Sequence, residues 1–88
     1  MSMTIKAFQA LIETKYGKID RERGSEKTFL WFMEEVGELA TAIARDDHEN
    51  KVEEFGDVLG WLTTLANING VDLTQAVEKY KEAEQGFK

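Results

Sequence analysis

The chain has 88 residues, enough for one domain, and its formal net charge is −6 at pH 7. Such an acidic chain does not suit the phosphates of DNA or RNA, so nucleic acid is not expected as a partner. It has no Cys, which excludes disulfides and zinc–thiolate sites, and no apolar run long enough to span a bilayer.

These observations predict a single domain over residues 1–88. The N-terminus lacks the apolar segment of a signal peptide, and the absence of Cys suits the cytoplasm. We therefore expect a cytoplasmic protein without a membrane partner. Apolar residues make up 42% of the chain, more than so short a domain needs for its own core, which favours a homo-oligomer.

Helical periodicity dominates the sequence, and no segment alternates as a strand does. The first helix is predicted over residues 4–16 and is ended by Gly17. Residues 18–24 are polar and charged and are predicted to form a loop. A second helix is predicted over residues 25–45, with Ser25 as its N-cap.

The second half of the chain predicts two more helices. Capping-box spacing opens a third helix over residues 50–69, and Gly70 is its expected left-handed terminator. The same spacing at Asp72 opens a fourth helix over residues 72–84. Four helices with short connections predict an all-α, four-helix bundle-like protomer whose helical hairpins assemble into a homo-oligomer.

The second and third helices carry the same acidic pattern, acid-acid-x-Gly-acid. At about 100° per residue, the three acids of each segment lie on one side of their helix, within one turn. Like charges at this spacing repel and weaken a helix, so the pattern is costly unless a cation lies between the acids. The acids are Glu34, Glu35 and Glu38 in the second helix and Glu53, Glu54 and Asp57 in the third.

The spacing of the two segments indicates a shared site. If the helices form an antiparallel hairpin that turns near Asp46, Glu35 lies level with Asp57 and Glu38 with Glu54. Two pairs of carboxylates at one level form a patch of oxygen ligands, which hard divalent cations prefer. The pattern therefore predicts a Mg²⁺ site.

The alternative is a solvated acidic face, and the strong apolar stripe on the opposite side of each helix favours it. The stripe that carries the acids, however, continues as apolar residues, with Trp31 in the second helix and Trp61, Leu65 and Ile68 in the third. A solvated stripe would not carry these side chains. The combination favours an internal metal site.

At these residues the sequence resembles the MazG-type nucleotide pyrophosphohydrolases of the all-α NTP pyrophosphatase superfamily. The family motif is E-E-x-x-E, a spacer, and E-x-x-D, which reads here as Glu34-Glu35-x-x-Glu38 and Glu54-x-x-Asp57. The resemblance covers about residues 23–79, with further matches in the flanking segments Arg23-Gly24, Trp31, Glu38-Leu39-Ala40, Asp57-Val58-Leu59 and Asn69-Gly70-Val71-Asp72-Leu73.

The resemblance implies hydrolysis of a nucleoside triphosphate between the α- and β-phosphates, with a monophosphate and pyrophosphate as products. It implies that Glu35, Glu38, Glu54 and Asp57 bind Mg²⁺, for which Mn²⁺ can substitute. Phosphoribosyl-ATP or dUTP hydrolysis, both found in the superfamily, are alternatives. A further alternative is a non-enzymatic acidic helical interaction module.

In this mechanism either Glu34 or Glu35 accepts the proton of the attacking water. Trp61 is the candidate for stacking the base, with core packing as its alternative role. Lys15 and Arg23 lie around the predicted first loop and are candidates for binding the triphosphate, with a solvated loop as the alternative. The expected assembly is a homodimer or homotetramer.

Overall fold

The computed structural model describes residues 2–81, and every regular element in that range is helical. This confirms the predicted all-α fold. None of the described helices combines the length and the apolar character that crossing a bilayer requires. The helices are α1 (Ile5–Arg23), α2 (Ser25–Arg45), α3 (His48–Ile68), α4 (Leu73–Ala76) and α5 (Glu78–Lys81).

Helix α1 passes through Gly17, so the predicted stop at this glycine and the predicted loop over residues 18–24 are wrong. Gly17 is buried inside the helix, and Arg21 lies across it, donating to the Gly17 carbonyl at 3.2 Å and to Glu13 at 2.6 and 2.8 Å. A Cβ at Gly17 would stand 2.1 Å from a Glu13 carboxylate oxygen. The glycine therefore makes room for an ion pair.

Helix α1 ends at Arg23 with Gly24 as its C-cap, and the positive φ of Gly24, 89°, is one that glycine adopts without strain. The Gly24 N–H donates to the Asp20 carbonyl at 3.0 Å. Helix α2 then begins at Ser25, so Gly24, and not the predicted Ser25, is the N-cap residue. The Thr28 hydroxyl donates to the Gly24 carbonyl at 2.7 Å and helps to hold this sharp joint.

Helices α2 and α3 form a hairpin with a two-residue connection, and they pack more extensively than any other pair of the described helices. Asp46 has a φ of 52°, and the Asp47 side chain caps α3 by accepting from the Asn50 N–H at 3.3 Å. The third helix therefore starts at His48 and not at the predicted Asn50. At its other end Gly70 has a φ of 68°, which confirms its predicted left-handed conformation.

The chain after α3 contains two short helices where one was predicted over residues 72–84. Asp72 caps α4 as predicted, accepting from the Thr74 N–H at 2.9 Å. The helix breaks at Val77 before α5, so the expectation of one continuous element is wrong up to residue 81. The last predicted residues, 82–84, lie outside the described range.

Gln9 joins α1 to the end of α3 and the start of α4. Its amide nitrogen donates to the Asn67 side chain at 2.9 Å and to the Val71 carbonyl at 2.7 Å. Its amide oxygen accepts from the Leu73 N–H at 2.9 Å. One side chain thus ties α1 to the end of α3 and to the start of α4.

The protomer buries few apolar side chains. Among residues 2–81, Ala42 and Ala66 are the buried apolar residues, and several large apolar side chains on α2 and α3 are more than 40% exposed. We call those at i, i+3, i+4 spacing on α3 the α3 stripe: Val52, Phe55, Leu59 and Leu62, which are 59%, 57%, 51% and 42% exposed. Phe29, Met33 and Ile43 form a comparable set on α2.

Candidate metal and nucleotide site

The hairpin brings the two acidic segments to one level. Each of Glu35, Glu38 and Glu54 has a carboxylate oxygen within 4.8 Å of the other two. Glu53, Glu54 and Asp57 form a second such group, joined to the first through Glu54. The four predicted metal ligands therefore lie in one connected patch of carboxylates. The ligand set is all oxygen, which suits a hard divalent cation.

Glu54 is the acid of this patch that has a buried oxygen without a hydrogen-bond partner among the described residues. That oxygen is Oε1, and the side chain as a whole is half-buried. Burial raises the pKa of Glu54, and the charges of Glu38, Asp57 and Glu53 raise it further. A buried carboxylate oxygen without a donor is costly, and a cation removes that cost. The residues present therefore fit a divalent metal ion.

The charged form of Glu35 is also disfavoured in the metal-free site. A hydrogen bond with Glu38 raises the pKa of Glu35 to about 7, with burial and the charges of Glu38, Asp57 and Glu54 acting in the same direction. Glu34, the other candidate proton acceptor, is exposed and belongs to neither carboxylate group. Of the two candidates, Glu35 is the one that lies within the cluster.

The metal-free protein is expected to lose stability as pH rises from 5 to 8. The folded pKa of Glu35 is about 7 against an ordinary value of 4.5, so in this interval the folded state binds more protons than the unfolded chain. Stability falls with rising pH under that condition and levels off above the folded pKa. Melting in the presence of a chelator should show a fall in Tm of several degrees.

Glu35→Gln should flatten this pH dependence, because the neutral amide does not titrate. The matched control is Glu22→Gln, the same change at an exposed acid of α1, which should keep the wild-type slope. A wild-type Tm that is constant between pH 5 and 8, or an unchanged slope in Glu35→Gln, would contradict the assignment of Glu35.

Two indole rings continue the site away from the hairpin turn. Trp31 and Trp61 meet edge to face, with centroids 5.5 Å apart and an interplanar angle of 87°. The Arg23 guanidinium lies over both rings, 4.9 Å from the centroid of Trp31 and 5.1 Å from that of Trp61. The Asp20 carboxylate pairs with the Arg23 guanidinium, and the Arg23 Nε–H donates to the Thr28 hydroxyl at 3.0 Å. Arg23 is therefore held in place, and its predicted position in a solvated loop is wrong.

A cavity of about 550 Å³ lies between α1 and α3, beside the carboxylates. Its volume is within the range of small-molecule sites. Helix α3 contributes Asp57 and Trp61 to its lining, and α1 contributes Asp20 and Arg23. Most of the remaining lining is aromatic or aliphatic and comes from α1: Phe8, Ile12, Tyr16 and Ile19. An apolar cavity that shares Asp57 with the carboxylate patch can hold a flat aromatic group next to bound metal.

A protein-family model matches a segment of this chain that includes both acidic segments and both tryptophans. The model is that of the MazG nucleotide pyrophosphohydrolase domain, and it matches residues 23–84. The chain belongs to this family. A comparison with curated proteins found no match. Family membership supports nucleotide pyrophosphate hydrolysis as the class of activity, and the carboxylate groups that could bind a divalent metal lie within the matched MazG domain.

In this MazG protein, residues that precede the matched domain complete the cavity. Asp20 was missed by the sequence analysis because residues 18–24 were predicted to be a loop. Asp20 precedes Arg23 by three residues, and side chains at i and i+3 meet on a helix. This spacing could have indicated the ion pair from the sequence. Lys15 lies in a separate depression on α1 with Lys18 and Glu22, away from the carboxylates. Lys15 is not among the residues that line the aromatic cavity, and its predicted contact with substrate stays a prediction.

Proposed function

We propose that this protein hydrolyses nucleoside triphosphates at the α–β phosphate bond, in a Mg²⁺-dependent reaction that yields a monophosphate and pyrophosphate. The observation that carries the proposal is the contact between an oxygen-rich patch and an aromatic cavity, which share Asp57 in a MazG domain. A triphosphate brings negative charge and an aromatic base on one molecule, and these two surfaces suit its two ends.

The carboxylates of Glu35, Glu38, Glu54 and Asp57 are the proposed ligands of Mg²⁺, or of Mn²⁺ in its place. Bound Mg²⁺ would neutralise the phosphate oxygens and lower the pKa of a water molecule. Glu53 lies beside Glu54 and Asp57 and is a further ligand or an orienting group for one. Glu35 is the proposed proton acceptor, since Glu34 lies outside the cluster.

The cavity beside Asp57 is the proposed site of the base. Trp61 contributes an indole to its wall and is the proposed stacking residue. Arg23 is proposed to bind substrate beside Trp61, where Asp20 and the two indoles hold its guanidinium. Held in this way, Arg23 loses little freedom when a ligand binds, which favours affinity.

The proposal includes a homodimer as the minimal assembly, with a homotetramer as the larger alternative. The support is the α3 stripe, whose four large side chains are each more than 40% exposed in the protomer, together with the comparable set on α2. Continuous apolar surface of this kind marks interfaces in soluble proteins. A cytoplasmic location is also proposed and is supported by the lack of Cys.

The decisive experiment is product analysis with a panel of nucleotides and Mg²⁺ in ¹⁸O-labelled water. We expect monophosphate and pyrophosphate, with little diphosphate and little free phosphate. No glycine-rich loop of the Walker type is present in the sequence to present the γ-phosphate alone. The label should enter either the monophosphate or the pyrophosphate, which identifies the phosphorus that water attacks.

Two results would contradict the proposal. Diphosphate with labelled free phosphate would show cleavage at the γ-phosphate. Absence of any divalent-dependent turnover across the panel would favour the non-enzymatic interaction module. The same panel separates general triphosphate hydrolysis from a dUTP-restricted or phosphoribosyl-ATP-restricted activity.

A further inference from the structure

A second cavity, of about 200 Å³, lies on the α2–α3 hairpin near its turn. It adjoins the carboxylate patch, because Glu38 and Glu54 form part of its wall. Its position is on the opposite side of the patch from the aromatic cavity, towards the closed end of the hairpin. Its lining residues are Glu38, Thr41, Ala42, Arg45, Asn50 and Glu54.

Arg45 is the one cationic residue in this lining. It follows Glu38 by seven residues, so it lies on the same face of α2, about 10 Å nearer the turn. None of the ion pairs within residues 2–81 involves its guanidinium. By contrast, Lys51 at the same end of the hairpin pairs with Asp46 at 2.6 Å and lies outside the cavity lining. An unpaired guanidinium beside a cluster of carboxylates is positioned to bind an anion that reaches the cluster.

The other polar side chains of this cavity already have partners. The Thr41 hydroxyl donates to the Gly37 carbonyl at 3.3 Å. The Asn50 amide nitrogen donates to Asp47 at 2.9 Å. The charged donors that this wall offers an anion are those of Arg45.

Three features follow one another along the hairpin, from its open end to its turn. The aromatic cavity with Trp61 comes first, the carboxylates of Glu38 and Glu54 come next, and Arg45 comes last. A nucleoside triphosphate has a matching order, with the base at one end and the terminal phosphates at the other. With its base beside Trp61 and its phosphate chain passing the carboxylates, the terminal phosphates reach the cavity that contains Arg45.

We infer that Arg45 binds the β- and γ-phosphates, the pyrophosphate unit that the reaction releases. This inference rests on the proposed function. It specifies the orientation of the bound substrate, with the base at Trp61 and the terminal phosphates at Arg45. A guanidinium has a rigid fork of N–H donors that matches two phosphate oxygens. Arg45 faces the pyrophosphate unit whether water attacks the α- or the β-phosphorus, since that unit stays at the same end of the hairpin.

Inhibition by the two products tests this direction. Arg45→Ala should weaken inhibition by Mg²⁺–pyrophosphate about tenfold or more, the scale for losing charge-assisted hydrogen bonds, and change inhibition by the monophosphate less than about twofold. Trp61→Ala should do the reverse, because stacking acts on the base. Lys51→Ala is the matched control, since it removes one positive charge from the same end of the hairpin and should leave both constants within about twofold.

Calorimetric titration of the protein with inorganic pyrophosphate, in the presence of Mg²⁺, measures binding without any turnover. Binding should weaken about tenfold in Arg45→Ala and in Arg45→Gln, which keeps more of the side chain's length, and should persist in Lys51→Ala. If Arg45 variants weaken the binding of both products equally, or of neither, the inference is overturned while hydrolysis stands. A wild-type protein that binds pyrophosphate through Arg45 yet hydrolyses no triphosphate would instead overturn the proposed function.

Discussion

Glu54→Gln is expected to lower kcat by at least about two orders of magnitude and to abolish the rise in Tm that Mg²⁺ produces. Glu54 belongs to both carboxylate groups, so its loss removes a ligand from each. The metal-free variant should be as stable as the wild type or more stable. Its neutral amide relieves the repulsion that raises the pKa of Glu54, and the amide N–H₂ can donate to a neighbouring carboxylate.

The measurements are melting curves with and without Mg²⁺ and steady-state kinetics on a triphosphate. Glu38→Gln and Asp57→Asn should likewise lose the Mg²⁺ response, because each removes a ligand from one group. Glu22→Gln, at an exposed acid outside both groups, should behave as the wild type. A large fall in metal-free Tm in Glu54→Gln and Asp57→Asn would identify the acids as structural and overturn the metal proposal.

Leu59→Glu is expected to convert the proposed oligomer to a 10 kDa monomer and to lower Tm by about 10 °C or more. Leu59 is 51% exposed in the protomer and lies inside the α3 stripe, between Phe55 and Leu62. In the proposed assembly a partner chain covers this stripe. A carboxylate at its centre would then be buried without a counter-charge, which disfavours association, and the released protomer has little buried apolar surface of its own.

Light scattering at micromolar concentration gives the mass, and melting curves give the stability. Met3→Glu is the matched control, because Met3 is 58% exposed and precedes α1, away from the stripe. It should leave mass and Tm close to those of the wild type. A wild-type mass of 10 kDa would refute the assembly, and in that case Leu59→Glu should change Tm little, as expected for an exposed position.

The pairing of the acids across the hairpin could be predicted because it depends on local geometry alone. A rise of about 1.5 Å per residue and a short connection place residues equidistant from the turn at one height. Glu38 with Glu54 and Trp31 with Trp61 are such pairs, and both lie in proximity in the structure. Helical periodicity also sufficed for the all-α fold and for the end of α2 at Arg45.

Two of the errors in the predicted elements concern residues whose role depends on their neighbours in the fold. Gly17 was predicted to end α1, since glycine lowers helix propensity by about 1 kcal/mol, but the ion pair of Glu13 and Arg21 uses the space that it leaves. Asp47 and Asn50 are both acceptable caps by composition, and the conformation of the turn decided between them.

The sequence by itself determined the helical fold, the acidic motif and the register that brings its two halves together, because these follow from periodicity and chain geometry. Only the tertiary structure decided what surrounds that motif. The packing of α1 against α3 creates the aromatic cavity, and the joint at Gly24 turns Arg23 onto the two indoles. Contacts between elements depend on how the helices pack, which no local pattern of residues encodes.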